Sequence, residues 1–514
     1  MRSLISVSLK QKRETYITFL DIKKAYDNVD NEDMLTIMWE KGLRGKAWRI
    51  LKNLNTHLKA AIKTKYGTTR DIDMEIGGRQ GSRVTGRMFA KLMDLLAEEV
   101  IASNDGIKML EDFVIGILLW IDDVVSCVEG AQNQKEMLEK IDHFAKIHKL
   151  KWGQDKCKVM RIGKTQEQDT WKIGEMEIGT CESYTYLGDI ITPDGKNTDN
   201  IKSRKNKITV SSVSINTIAA SEILYKIETP VLLELHERVN VPSLVSNCES
   251  WTLLKSEEAE IEKAEIQCIK NLFDLPLKIP TPAIHFMLGI PYTNSRIDQK
   301  RLIYLHKILN RDPSHWTRRS LETLESLNIG WYKGIQQTLT KYNLPSDFPE
   351  IKDKALNEWK NIVKKSIEDQ NKTRLINECH KFTDGIRTRK TKTAHIIDKI
   401  ENPSYTRQPQ EEFKHLSKQE TKTLMIARFG MLECGKNFQG TMSKMCSVCC
   451  NIVDDEEHRL NICPKYNQHN YCENSDLVKF ETIYSDNIDD IRLIISRIAS
   501  VWNVKTGHGS MMTA

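Results

Sequence analysis

The chain has 514 residues, 28% of them charged and 39% hydrophobic, and its 76 Lys and Arg against 70 Asp and Glu leave a formal net charge of +6. That length accommodates roughly two to four domains, each able to bury its own core. The mean hydropathy is −0.47, no apolar run nears the roughly 18–20 residues of a membrane span, and "MRSLISVSLKQKRETYITFLD" holds no signal-peptide core, so a nuclear or cytoplasmic chain with no membrane partner is expected.

In chain order, "TYITFLDI" predicts a buried strand ending at Asp21. Residues 30–58 predict helix, with Asn31 as N-cap and a break at Gly42 to Gly45. "HLKAAIKTKYGTTRDIDMEIGG" alternates around Tyr66 and Gly67, as a hairpin does. Residues 83–102 predict a helix, and two strands then surround Asp122 and Asp123. An amphipathic helix over 129–149 and a strand over 158–162 follow. Beyond Gly195 the pattern turns mostly helical to about 310, and residues 311–420 are Lys-rich and weakly patterned. Two basic stretches, 196–209 and 384–393, fit either solvated faces or phosphate-contacting surface.

The stretch "GILLWIDDVVSC" sets Asp122 beside Asp123 inside an apolar run. Uncompensated charge in a buried strand costs several kcal/mol, so the pair needs a turn, a cation or water. Neighbouring strand residues face opposite ways, but at a tight turn both can reach one edge of a sheet. Asp21 ends its own strand. Carboxylates meeting at strand ends suit hard divalent cations such as Mg²⁺. The bland alternative is a polar hairpin turn with two solvated aspartates.

The pair is not isolated. "TFLDIKKAYDNVD", "GGRQGSRVTGRMFAKLMD", "LLWIDDVVSC", "HKLKWGQDKCKVM" and "SYTYLGDII" occur in that order. Their spacing resembles the A-to-E motifs of reverse transcriptases, above all those of non-LTR (LINE-like) retrotransposons. The resemblance covers residues 16–195 and continues more loosely to "LVSNCESWTL". It implies an α+β fold: a reverse-transcriptase palm with partial fingers at 1–195, a helical thumb or connection at 196–310, a helical, basic linker region at 311–430, and a small zinc knuckle with a tail at 431–514.

By resemblance, Asp21 and Asp122 are the main ligands of two Mg²⁺ ions and Asp123 is the third carboxylate. Tyr26 stands under the sugar of the incoming nucleotide, Gln80 and Gly81 pack against the nascent base pair, and Lys156 lies near the pyrophosphate as proton donor. Tyr186, Leu187 and Gly188 grip the primer. The implied partners are an RNA template, a DNA primer and deoxynucleoside triphosphates. Trp120 and Ile121 are bulkier than the family pattern before the two aspartates, and no proline follows Gly81. Only twenty residues precede Asp21, where the family carries fingers motifs. The expectation is a truncated RNA-directed DNA polymerase; whether a separate segment supplies fingers or endonuclease is left open by the sequence. The alternative is an inactive relic that only binds nucleic acid.

Six of the twelve cysteines, Cys434, Cys446, Cys449, Cys450, Cys463 and Cys472, crowd towards the C-terminus. Without a secretory signal, such clustering points to metal more than to disulfides. Cys446-x2-Cys449-x8-His458-x4-Cys463 supplies three thiolates and an imidazole, a tetrahedral set for structural Zn²⁺, with Cys450 as an alternative ligand. "HRLNICPKY" also resembles the end of non-LTR elements, which implies a structural or RNA-binding role with Lys465 and Tyr466 at hand. No nuclease pattern follows Cys463, so none is expected.

Overall fold

A computed structural model of the chain describes residues 1–56, 58–74, 76–78, 82–163, 170–219, 227–384, 396–397, 399–401, 409–429, 431–432, 444–450, 452–466, 479–485 and 487–502. The chain divides into two compact units, one of residues 1–197 with 311–334, the other of 198–310 with 335–514. Among the described residues no helix is long and apolar enough to cross a membrane.

The first unit opens with α1 (Arg2–Gln11), β1 (Thr15–Asp21), the short α2 (Ala25–Asn28), α3 (Asn31–Glu40) and α4 (Gly45–Asn55). Nested hairpins follow, β2 (Leu58–Ala60) with β5 (Ile72–Met74) enclosing β3 (Lys63–Thr64) with β4 (Gly67–Thr68), and then the long α5 (Arg83–Ala102). Next come a small hairpin, β6 (Ile107–Leu110) and β7 (Phe113–Ile115), then β8 (Ile117–Trp120), β9 (Asp123–Glu129) and α6 (Ala131–Ile147). The last strands are β10 (Lys158–Ile162), β11 (Trp171–Ile173), β12 (Met176–Thr180) and the hairpin β13 (Tyr184–Tyr186) with β14 (Asp189–Ile191).

Six strands form the central sheet in the order β11-β12-β10-β1-β9-β8. β1 is its middle, antiparallel to both β9 and β10. Its residues are buried from Thr15 to Leu20, so both faces need cover. Tyr16 and Leu20 join the core that Phe89, Leu92 and Leu96 of α5 and Leu138, Ile141 and Phe144 of α6 complete. Each such side chain contributes about 1.5–3 kcal/mol on leaving water. The two buried threonines are satisfied: Thr18 Oγ1 accepts from Gln134 Nε2 at 2.6 Å and Thr15 Oγ1 donates to Ser8 Oγ at 3.0 Å. Phe19 lies on the other face and stacks on Tyr184 at 4.0 Å.

Asn31, expected to cap α3, is its first residue. The cap is Asp30, whose carboxylate accepts from the N–H groups of Glu32 and Asp33. Asn31 is drawn elsewhere, donating from Nδ2 to the Gly77 carbonyl at 2.8 Å, and a carboxylate at the N-terminus is favoured by the helix dipole. The helix expected to reach residue 58 stops at Asn55, and Leu58 already belongs to β2.

The second unit is built from helices. Its core gathers Ile269, Leu272, Phe286, Met287, Leu424, Met425, Ile494 and Ile498. Trp251 and Trp359 are fully buried, and Trp359 Nε1 donates to the Leu302 carbonyl at 3.0 Å. Of the basic stretch at 196–209, Arg204 is buried, its guanidinium 5.8 Å from the Trp251 ring centroid, and Lys205 pairs with Glu260 at 2.9 Å. Residues 385–393 of the other stretch, and Cys434 and Cys472, lie outside the described residues.

Candidate active site and Cys-His centre

Three pieces of chain meet at one end of the central sheet. β1 ends at Asp21 and β9 begins at Asp123, and these two residues are register partners. Directly opposed residues of an antiparallel pair share a face, with Cβ atoms roughly 4.5–5.5 Å apart, and like charges there are destabilising. Asp122 lies in the two-residue turn that joins β8 to β9, beside Ile121 at φ 59°. A β-branched residue in the left-handed region costs on the order of 1–3 kcal/mol, and such strain clusters at functional sites. Ile121 packs against the core, whereas Trp120 is 60% exposed.

The electrostatics follow from this crowding. Burial, then the charges of Asp122 and Asp21, push the Asp123 carboxyl above its ordinary value, against the opposing pull of Lys156. Lys156 Nζ donates to Asp21 Oδ1 at 2.9 Å, and that bond, with the same three carboxylates around it, holds the exposed ammonium's pKa above its usual value. One cation thus faces three anions. The all-oxygen donor set and the surplus negative charge fit hard divalent ions.

The neighbouring loops are pinned closely to Asp21. Gly153 N donates to the Asp21 carbonyl at 2.8 Å, and a Cβ on Gly153 would stand 3.0 Å from Asp21 Oδ2. Glycine is what the close approach requires. Tyr26, in α2, lies against Phe89 of α5, ring centroids 5.9 Å apart, and a Cβ on Gly86 would lie 3.5 Å from its hydroxyl. Burial, then the charge of Asp122, raise the Tyr26 phenol above its ordinary pKa. Gly78 N donates to the Tyr26 carbonyl at 2.7 Å and Gly77 N to that of Val29 at 2.9 Å, tying the segment before α5 to the one after β1. Gln80 and Gly81 lie outside the described residues.

The hairpin of β13 and β14 turns at Leu187 and Gly188, with φ 48° and 85°. Tyr184 anchors it by stacking on Phe19 and by donating to the Lys156 carbonyl at 3.0 Å. Tyr186 leans on Phe19 at 5.9 Å, and Leu187 is 43% exposed at the tip. Burial, then nearby carboxylates, push the Tyr184 and Tyr186 phenols up to about 12. Tyr184 and Gly153, which pattern matching did not single out, are the contacts that brace Lys156 and Asp21. Glycine in a tight junction between strand and lysine is the signal that was available.

In the second unit, ligand atoms of Cys446, Cys449, His458 and Cys463 all lie within 4.8 Å of one another. Cys446 Sγ is 3.7 Å from Cys463 Sγ and accepts from the N–H groups of Val448 and Cys449 at 3.4 and 3.5 Å. Burial opposes ionisation of that thiol, but these donors, with His458 and Cys463, hold it at about 6. Both ring nitrogens of His458 are buried without a hydrogen-bond partner among the described residues, at a cost of about 1–3 kcal/mol each that a bond to metal would relieve. Three thiols and an imidazole so placed fit Zn²⁺. Cys450, exposed at φ 56°, is not in the cluster. Tyr466 is half-buried against the core, with the Arg459 guanidinium 5.2 Å from its ring centroid.

Residues 1–191 match the family model described as reverse transcriptase (RNA-dependent DNA polymerase). The chain is 27% identical over 205 residues to the retrovirus-related Pol polyprotein from type-1 retrotransposable element R2 of Nasonia vitripennis. That alignment takes in 36% of this chain and 19% of the relative, so the chain spans about a fifth of the relative's length. Among solved structures it is similar to telomerase from Candida tropicalis, in complex with a TWJ fragment of telomeric RNA, at 14% identity and a TM-score of 0.30, over 66% of this chain and 49% of that one. The corresponding telomerase complex from Candida albicans gives 9% identity and a TM-score of 0.31, over 79% and 54%.

Proposed function

From the reverse-transcriptase domain of non-LTR retrotransposon type in residues 1–191, we propose that the chain extends a DNA primer along an RNA template. The observation that carries this is the opposition of Asp21 and Asp123 across two strands, with Asp122 in the adjoining turn. Asp21, Asp122 and Asp123 would hold two Mg²⁺ ions. Bound there, the ions supply the positive charge that an attacking 3′-hydroxyl and a leaving pyrophosphate both require.

The chain's own side chains do the rest. Lys156, kept protonated by Asp21, offers charge and a proton to the pyrophosphate oxygen that leaves. The Tyr26 ring, fixed by Phe89, bounds the space under the nucleotide sugar and excludes a 2′-hydroxyl. Gln80 and Gly81 pack against the nascent base pair. The tip formed by Tyr186, Leu187 and Gly188 steadies the primer end. In the second unit Cys446, Cys449, His458 and Cys463 would hold one structural Zn²⁺ and so fix a segment too short to build a core of its own.

The test is primer extension on an RNA template with Mg²⁺, comparing the chain with its Asp122→Ala/Asp123→Ala variant. Extension by the parent alone supports the reading. Equal extension by both overturns the site. No extension by either, with RNA binding intact, makes the chain a nucleic-acid-binding relic.

A further inference from the structure

Residues 41–70 contain nine Lys and Arg and neither Asp nor Glu; acidic residues resume only at Asp71. The whole chain nets only +6, so the remainder is net negative and this segment is its cationic pole. Three of these cations stand over aromatic rings. Trp39, in the last turn of α3, is 43% exposed. Its ring meets Trp48 of α4 edge-on at 5.0 Å. The Arg44 guanidinium lies 3.9 Å from the Trp39 centroid and Lys52 Nζ 5.1 Å from that of Trp48. At the tip of the inner hairpin Tyr66 is 88% exposed, with Lys65 Nζ 4.9 Å from its ring centroid.

Two facts set this surface apart from an ordinary solvated face. Lys41 is neutralised by Glu98 at 2.6 Å, but among the described residues no carboxylate pairs with Lys46, Arg49, Lys52 or Lys65. And α4 buries only Leu51 and Asn55, leaving Ile50 at 50% and Leu54 at 46% exposure with no packing reason for an apolar outer face.

We propose that the α3–α4 corner, centred on Trp39, Trp48, Lys46, Arg49 and Lys52, is a docking surface for single-stranded nucleic acid. Flat rings flanked by unpaired cations offer stacking for unpaired bases and charge for the phosphates between them. A duplex supplies phosphates but no open base faces. The apolar and cationic residues of α4 lie on separate faces, which would also suit an anionic membrane. The cations held over the rings of Trp39, Trp48 and Tyr66 favour the single strand, and vesicles serve as the control. The inference deepens the polymerase reading by naming a path for a single strand. It rests on charge and rings alone, and binding is read without catalysis.

The experiment is fluorescence anisotropy of a labelled oligouridylate, about twenty nucleotides long, with the full chain and no nucleotides or added Mg²⁺. Replacing three exposed cations (Lys46→Gln/Arg49→Gln/Lys52→Gln) is expected to weaken binding about tenfold or more and to lower the slope of log affinity against log salt by about 2. Trp39→Ala, with its fold checked by circular dichroism, should weaken binding about fivefold or more while leaving the salt slope unchanged. A duplex probe should be bound more weakly and should not respond to Trp39→Ala. Parent-like affinity and slope in the triple variant overturn the proposal, as does a loss seen only with anionic vesicles or equally with duplex. Binding that fails while primer extension persists sinks this surface alone; extension that fails while binding follows these expectations sinks only the polymerase reading.

Discussion

Asp21 and Asp123 are direct cross-strand neighbours, the last residue of β1 against the first of β9. Two carboxylates so placed repel by roughly 0.2–1 kcal/mol on a sheet surface. Without divalent ions, Asp123→Asn should therefore melt at a slightly higher temperature than the parent. With Mg²⁺ the order should reverse, because only the parent gains a bound ion. Melting curves in both conditions check this; an unchanged order would mean that the pair is not the ion site.

The fit of Gly153 against Asp21 makes a second expectation. Its φ lies outside the left-handed region, so any penalty in Gly153→Ala comes from the Cβ meeting Asp21 Oδ2. The carboxylate must shift, and a misplacement of about 1 Å at a reacting group can cost about 100-fold in rate. Extension should fall by an order of magnitude or more, with the melting temperature nearly unchanged.

Discrimination against ribonucleotides should depend on Tyr26. Truncation to Ala leaves Phe89 and Gly86 facing an opened space. Ribonucleotide incorporation, relative to deoxynucleotides, should rise by about tenfold or more, the scale on which pocket shape discriminates. Competitive incorporation of the two sugars measures it.

A pH dependence follows from the α3 cap. The hydrogen bond from Lys149, then the N–H groups of Asp33 and Glu32, hold the Asp30 carboxyl below its ordinary value despite some burial. A carboxyl lowered by folding stabilises the native state above its unfolded value, and that contribution fades as pH falls through the folded one. Asp30→Ala should cost about 1 kcal/mol near neutrality, and the difference from the parent should shrink in acid below about pH 4. Denaturant titrations across that range decide it.

Zinc should bind at about one ion per chain. Substituting Ala for His458 should abolish it, Cys450→Ser should leave it intact, and a chelator should lower the melting temperature of the parent and of Cys450→Ser but not of His458→Ala. Elemental analysis of the three proteins is the measurement. Loss of zinc in Cys450→Ser would exchange Cys450 for Cys449 in the site.

Local pattern reached far in some places. α5 and β10 begin and end at the expected residues, because apolar periodicity is a signal contained in the segments themselves. The Asn31 cap fails because a contact 46 residues away takes its side chain. The opposition of Asp21 to Asp123 is a register, set by strands about a hundred residues apart, and no motif states it. The cationic run at 41–70 is visible residue by residue, but a chain-wide sum of +6 conceals it, since the compensating acids lie elsewhere. The Cys-His set is the most legible part of all. Metal-ligand spacing encodes geometry almost directly.

The first unit is discontinuous, and that orders its making. The helix Trp316–Leu327 belongs to it: Arg319 reaches Asp112, 207 positions earlier, and Leu324 is buried at 2% exposure. On the ribosome the hairpin carrying Asp112 must therefore wait until some two hundred further residues have emerged, about ten to forty seconds of synthesis. Throughout that interval the β6–β7 hairpin lacks the helix that packs against it.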